Sequence, residues 1–191
     1  MKKLNLILST LALGVLLTIS NQASAQKSEN TFEEGSLTLS LGAGLGRSAY
    51  AGSGIYGNGV SYGTGIGTKI AIERGMWQLG PGVLSLGLEA GASFSNTTYT
   101  GYNYHSNIII VAARSAYHFG WNVDKLDTYA GFSLGPGFRS YGYTGNKAND
   151  VVVAPGGFIG GTYYFSPNIG VNVEAGYDIT QIQGGIIFKL K

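Results

Sequence analysis

Val83-Leu84-Ser85-Leu86-Gly87-Leu88-Glu89-Ala90-Gly91-Ala92-Ser93-Phe94 alternates without interruption. Leu84, Leu86, Leu88, Ala90, Ala92 and Phe94 share one face, and Ser85, Gly87, Glu89, Gly91 and Ser93 share the other. A period of two with one apolar and one polar side is the signature of a strand. The same pattern returns along the chain, and no stretch after Ala25 keeps a 3.6-residue period. Strands that are apolar on one side and polar on the other, behind an export signal, point to an outer-membrane β-barrel with lipid outside and a polar lumen.

The export signal is read from the N-terminus. Lys2 and Lys3 precede an apolar run from Leu4 to Ile19, and Ala23-Ser24-Ala25 supplies the small residues of a cleavage site. The run is shorter than the roughly 20 residues of a spanning helix, so cleavage after Ala25 is expected rather than anchoring. With no Cys in the chain, a lipid-anchored lipoprotein, disulfides, thiolate metal sites and thiol nucleophiles are excluded. Losing Lys2 and Lys3 from the 12 Lys+Arg leaves a balance with the 10 Asp+Glu, so the mature chain carries no basic footprint for nucleic acid. The expected division is a signal peptide over 1–25, a short polar, disordered periplasmic lead over 26–34, and the barrel over 35–191.

Strands are expected at 35–47, 60–73, 83–95, 107–119, 127–140, 151–165, 168–178 and 182–190. Eight is an even number, as a single-chain barrel with both termini on one side requires. The fold class is therefore all-β, an eight-stranded antiparallel up-and-down transmembrane barrel preceded by a cleaved signal peptide. Segments 48–59, 96–106 and 141–150 are expected as extracellular loops, and 74–82, 120–126 and Ser166-Pro167 as periplasmic turns. Trp77 and Trp121 mark one aromatic girdle, with Phe119, Tyr163, Tyr164, Phe165 and Phe188 nearby. Tyr50, Tyr62, Tyr99, Tyr102, Tyr104, Tyr141 and Tyr143 mark the other.

Three short stretches carry a family resemblance. Phe165-Ser166-Pro167-Asn168 followed by Glu174-Ala175-Gly176-Tyr177 resembles the penultimate hairpin of small barrels in the OmpX/OmpA-like group. Leu126-Asp127-Thr128-Tyr129-Ala130-Gly131 resembles the opening of their fifth strand. Gly184-Gly185-Ile186-Ile187-Phe188-Lys189-Leu190-Lys191 resembles their closing strand, ending in Lys191 where an aromatic is common, as in barrels of the Bacteroidetes type. The resemblance implies residence in the outer membrane, with recognition of the last strand by the barrel-assembly machinery. The group includes adhesins, stress proteins and barrels of no assigned role.

With Leu, Ile, Val and Phe assigned to lipid, parity turns Lys69, Glu73, Glu89, Arg114, Arg139, Glu174, Asp178 and Lys189 inward, together with His118. Four cations then meet four carboxylates, and an ion-pair network filling the lumen is expected. The alternative is a narrow porin-like channel for ions or small solutes, governed by Glu89, Arg114 and Glu174 near mid-strand. Inward positions are otherwise mostly small, as at Gly42, Gly44, Gly63, Gly65, Gly67, Gly87, Gly91, Gly131, Gly135 and Gly176. Pro136 and Pro155 each remove a ladder donor, and a bulge is expected where they face each other.

Catalysis is not expected. His105 is placed in a loop beside Ser106, with no acid to orient it, and His118 is read as an inward polar residue. Two His without Cys, and no close carboxylate cluster, suggest neither a metal nor a cofactor site. Gly42-x-Gly44-x-Gly46 lacks the helix that a nucleotide fingerprint needs. The expected role is a structural or surface-interaction barrel, with membrane lipid as its surroundings and a possible extracellular partner at the loops.

Overall fold

The computed structural model describes residues 31–46, 48, 65–99, 102–121, 123–143 and 146–191. Residues 1–30, and with them the signal and the first part of the lead, lie outside the described residues, as do Tyr50, Tyr62, Gly63 and all of the 48–59 loop except Ser48.

Alternation does what the physics of a pleated chain demands. Eight strands form: β1 Leu37–Leu45, β2 Ile66–Leu79, β3 Gly82–Tyr99, β4 Tyr102–Phe119, β5 Leu126–Tyr143, β6 Asn146–Tyr164, β7 Ile169–Tyr177 and β8 Ile182–Lys189. Each pairs antiparallel with the next, and β1 pairs with β8, so the sheet closes. Closure removes the free edges that an open sheet would present.

Exposure is inverted relative to a water-soluble protein. Large apolar side chains cover the outside, including Leu88 at 61% exposure, Phe132 at 63% and Val153 at 72%, while Lys69, Glu73, Glu89, Arg114 and Glu174 are buried in the lumen.

The strands differ in height. β3 to β5 span 18 residues each and β6 spans 19, whereas β1 and β7 span nine and β8 spans eight. At the end that carries Thr31 and Lys191, here the terminal end, the strands finish nearly flush: Leu37 N–H donates to Lys191 O at 2.9 Å, and Tyr164 N–H donates to Lys125 O at 2.8 Å. The excess therefore rises at the opposite, distal end. β6 pairs with β7 from Tyr164↔Gly170 to Gly157↔Tyr177, then continues to Asn146 with no described strand on that flank.

Segments 96–106 and 141–150, expected as loops, are thus mostly strand, and their ladders run on to Tyr99↔Tyr102 and Tyr143↔Asn146. Both faces of these stretches carry Ser, Asn, Thr and Tyr, so the apolar alternation vanishes although backbone pairing persists. His105 accordingly lies in β4, opposite Asn96 and Gly142, and not in a loop. At the terminal end, β2 runs to Leu79 and the expected 74–82 turn shrinks to Gly80 and Pro81.

The prolines do not make a bulge. Pro136 faces Val153 and Pro155 faces Leu134, two residues apart, in an unshifted β5–β6 register. On the β4 side, pairing lapses between Ile110↔Gly137 and Ala113↔Leu134 without a change of register. A register shift instead occurs in β2 between Gly75 and Trp77. There the residues before β1 continue its ladder with β2, Gly35 N–H donating to Gly75 O and Gly75 N–H to Ser36 O, both at 2.9 Å.

Candidate functional site

The lumen gathers the ionisable residues, and the register explains how. Thr38, Glu73, Gly87, Arg114, Ser133 and Gly156 fall on one row across six strands. Gly87 separates Glu73 from Arg114, and a Cβ there would stand 2.8 Å from Glu73 Cγ. The missing side chain lets the two long ones meet over it.

Arg114 is the hub. Its Nε donates to Glu73 Oε1, one terminal nitrogen donates to Glu89 Oε2 at 3.0 Å, and the other donates to Glu174 Oε2 at 3.1 Å. The guanidinium lies over the Phe158 ring, 4.1 Å from its centroid. A planar fork reaching three carboxylates while stacking on an aromatic face is a task suited to Arg and not to Lys. Lys69 forms the second centre, donating to Glu174 Oε1 and to Asp178 at 2.8 Å, with Glu89 at 3.4 Å. Glu174 also accepts from Tyr129 hydroxyl at 3.2 Å and from Gln183 Nε2 at 3.0 Å.

Toward the terminal end the chain of contacts continues through His118. Its Nδ1 lies 2.8 Å from Asp127 and its Nε2 lies 3.4 Å from Glu73, so both ring nitrogens face a carboxylate. Phe32 stacks on the imidazole, with centroids 3.8 Å apart and planes 13° from parallel. Toward the distal end, Ile108, Ile110, Ala112, Ala154 and Ile179 form an apolar layer, with Val152 against it.

Six of the eight sequence-assigned residues, Lys69, Glu73, Glu89, Arg114, Glu174 and Asp178, share this network. Two do not. Arg139 pairs with Asp150 across β5 and β6 near the distal rim, and Lys189 donates to Thr31 O at 2.9 Å at the terminal mouth. The expected balance of four cations against four carboxylates is therefore replaced by an acidic excess. Lys69, Arg114 and His118 face Glu73, Glu89, Asp127, Glu174 and Asp178. Strand parity says nothing about height along the barrel axis.

Asp127, Tyr129 and Gln183 share parity with Arg139 and Lys189 on their strands, so the sequence held the signal for all three. Phe158, Ile108, Ile110 and Ile179 contradict the assignment of every large apolar residue to lipid. They point inward because this narrow lumen is packed with side chains, apolar ones included. Phe32 had no strand periodicity to reveal it. Over Thr31–Glu34, the described part of the lead expected to be disordered, the chain instead turns into the barrel mouth. Among the described residues no group of three or more His, Asp or Glu is placed to hold a metal ion.

No protein-family model matches the chain, and no curated protein sequence does. Solved structures do. Neisserial surface protein A is 13% identical, with a TM-score of 0.53 over 82% of this chain and 98% of its own. Ail, the attachment invasion locus protein of Yersinia pestis, is 10% identical, with a TM-score of 0.40 over 82% of this chain and 95% of its own. The N-terminal β-barrel domain of Pseudomonas aeruginosa OprF is 15% identical, with a TM-score of 0.42 over 83% of this chain and 98% of its own. The chain thus shares the barrel fold of the Neisserial surface protein.

Proposed function

We propose that this chain is an outer-membrane barrel that presents its distal strand ends outside the cell, with a lumen closed by buried ion pairs. The observation that carries the reading is the inverted exposure: a belt of aliphatic and aromatic side chains around a charged interior. In water such a belt would drive aggregation, and in a bilayer it is the required outer surface. The N-terminal signal supports export, and both termini are assigned to the periplasmic side. The strand heights support a display role. A crossing needs about 9–11 residues, which β1 and β7 barely supply and β3 to β6 exceed by roughly 7–10. At about 3.3 Å per residue, the surplus projects roughly 23–33 Å along the strands. A rigid sheet of that size is a better platform for a partner than loose loops. A conducting pore is disfavoured by the filled lumen and by the apolar Ile108–Ile110–Ile179 layer.

Four measurements test the reading. The folded protein should migrate differently on gels before and after boiling, and should fractionate with the outer membrane. An epitope inserted between Thr144 and Gly145 should label on intact cells. Conductance in planar bilayers should stay at background. Labelling only after permeabilisation would reverse the orientation, and steady ohmic conductance would favour the channel.

A further inference from the structure

The terminal mouth of the barrel holds a contact that neither the display role nor the ion pairs require. Thr31–Ser36 does not lead straight into β1. Ser36 N–H donates to Glu33 O and Glu33 N–H donates to Ser36 Oγ, both at 3.0 Å, which folds the segment into a compact turn. The turn drives Phe32 into the lumen, where it is 1% exposed. The wall is cut to receive it. Gly75 lies against Glu33 and Phe32, and a Cβ there would stand 3.2 Å from Phe32 Cε1 and collide with the Glu33 carbonyl. The β2 register shift sits beside that position. Thr31 is held by Lys189 Nζ at 2.9 Å.

We propose that the terminal mouth is a peptide-binding site whose resident ligand is the chain's own Thr31–Ser36 segment, with Phe32 as the anchor. The ligand class is a short, turn-forming peptide bearing one aromatic side chain. His118 supplies the stacking face, the carbonyl of Leu126 and the ammonium of Lys189 supply backbone and polar contacts, and Gly75 supplies the clearance. Seated, Phe32 separates the His118, Asp127 and Glu73 end of the charge network from solvent. Withdrawn, it opens that end while the Ile108–Ile110–Ile179 layer still closes the other. The lumen is then a chamber with two seals, the terminal one carried by the short Thr31–Ser36 segment.

The absence of native Cys makes the test direct. Ser85→Cys is nearly isosteric and sits inward on β3, fully buried and paired in register with Gly75. In detergent-folded protein, a charged, water-soluble thiol reagent should leave this Cys nearly unmodified. Adding Phe32→Ala should raise the modification rate at least tenfold. Gly75→Val, which keeps Phe32 in the sequence but fills the space that it and Glu33 occupy, should do the same. A synthetic peptide of residues 26–36 should restore protection to the Phe32→Ala protein, and the same peptide with Ala in place of Phe32 should not. Heat-modifiable migration establishes that each variant is folded, and Phe32→Trp, which keeps an aromatic anchor, should remain protected. Equal rates with and without Phe32, or protection that persists in both Phe32→Ala and Gly75→Val, would overturn the proposal. So would rescue by the peptide lacking the aromatic.

Discussion

Replacing Arg114 with Ala should be among the most damaging single changes that this barrel can undergo. The side chain donates to Glu73, Glu89 and Glu174 and stacks on Phe158. Hydrogen bonds to charged groups contribute about 1.5–3 kcal/mol each, so three of them set an upper bound of roughly 4.5–9 kcal/mol. Part of that is recovered, because Glu174 keeps Lys69, Tyr129 and Gln183. Among the described residues Glu73 retains His118, and Glu89 retains Lys69 at 3.4 Å. Breaking one buried pair costs about 3–5 kcal/mol, chiefly for the charge left behind, and that is the expected loss here. Arg114→Lys keeps the charge but cannot span three directions, so it should lose roughly 1.5–3 kcal/mol. Leu88→Ala serves as the control: it removes an exposed outer side chain, opens no packed lumen, and should cost well under 2 kcal/mol. The assay is urea unfolding of protein refolded into vesicles, followed by gel mobility and by the fluorescence of the two Trp residues. In a double-mutant cycle, Glu73→Gln should be far less costly in the Arg114→Ala background than in the wild type, with a coupling of about 1–3 kcal/mol. If Arg114→Ala unfolds at the same urea concentration as Leu88→Ala, or the cycle shows no coupling, the network does not stabilise the barrel as argued.

Two further outcomes are expected. Lys69→Ala should destabilise the barrel by about 3–5 kcal/mol, whereas Arg139→Ala and Lys189→Ala should cost no more than about 1 kcal/mol, because their partners lie near the two mouths; equal losses at these three positions, read from the same urea titrations, would contradict the separation between them. Gly160→Ala places a Cβ about 2.6 Å from the Tyr129 ring and should displace the hydroxyl that donates to Glu174, lowering stability by roughly 1–3 kcal/mol; Gly161→Ala, which would meet nothing closer than 3.7 Å, should cost less in the same titration.

Alternation alone was enough to count eight strands, assign Arg114 and Glu89 to the inside, and place Leu86 and Leu88 outside. Those are local consequences of a two-residue period combined with the cost of lipid-facing charge. The strand ends were legible only where the outer face is apolar. Residues 96–99 and 102–106 continue β3 and β4 on backbone hydrogen bonds that leave no hydropathic trace. The assignment of Phe158 and Ile108 to lipid failed for a related reason: hydropathy ranks a side chain, but a narrow lumen must also be filled, and volume is a property of the closed ring.

Along the barrel axis, the sequence by itself was silent. It determined that the chain closes into eight strands with ionisable groups on one face, because that follows from neighbours one and two residues apart. Only the tertiary structure decided that Arg114 and Lys69 share the carboxylates while Arg139 and Lys189 stand apart. Height depends on the stagger between strands, accumulated around the whole ring. It also decided that Phe32, in a stretch with no periodicity, meets His118, which lies 86 positions further along the chain. A contact of that kind exists only after the wall that receives it has closed.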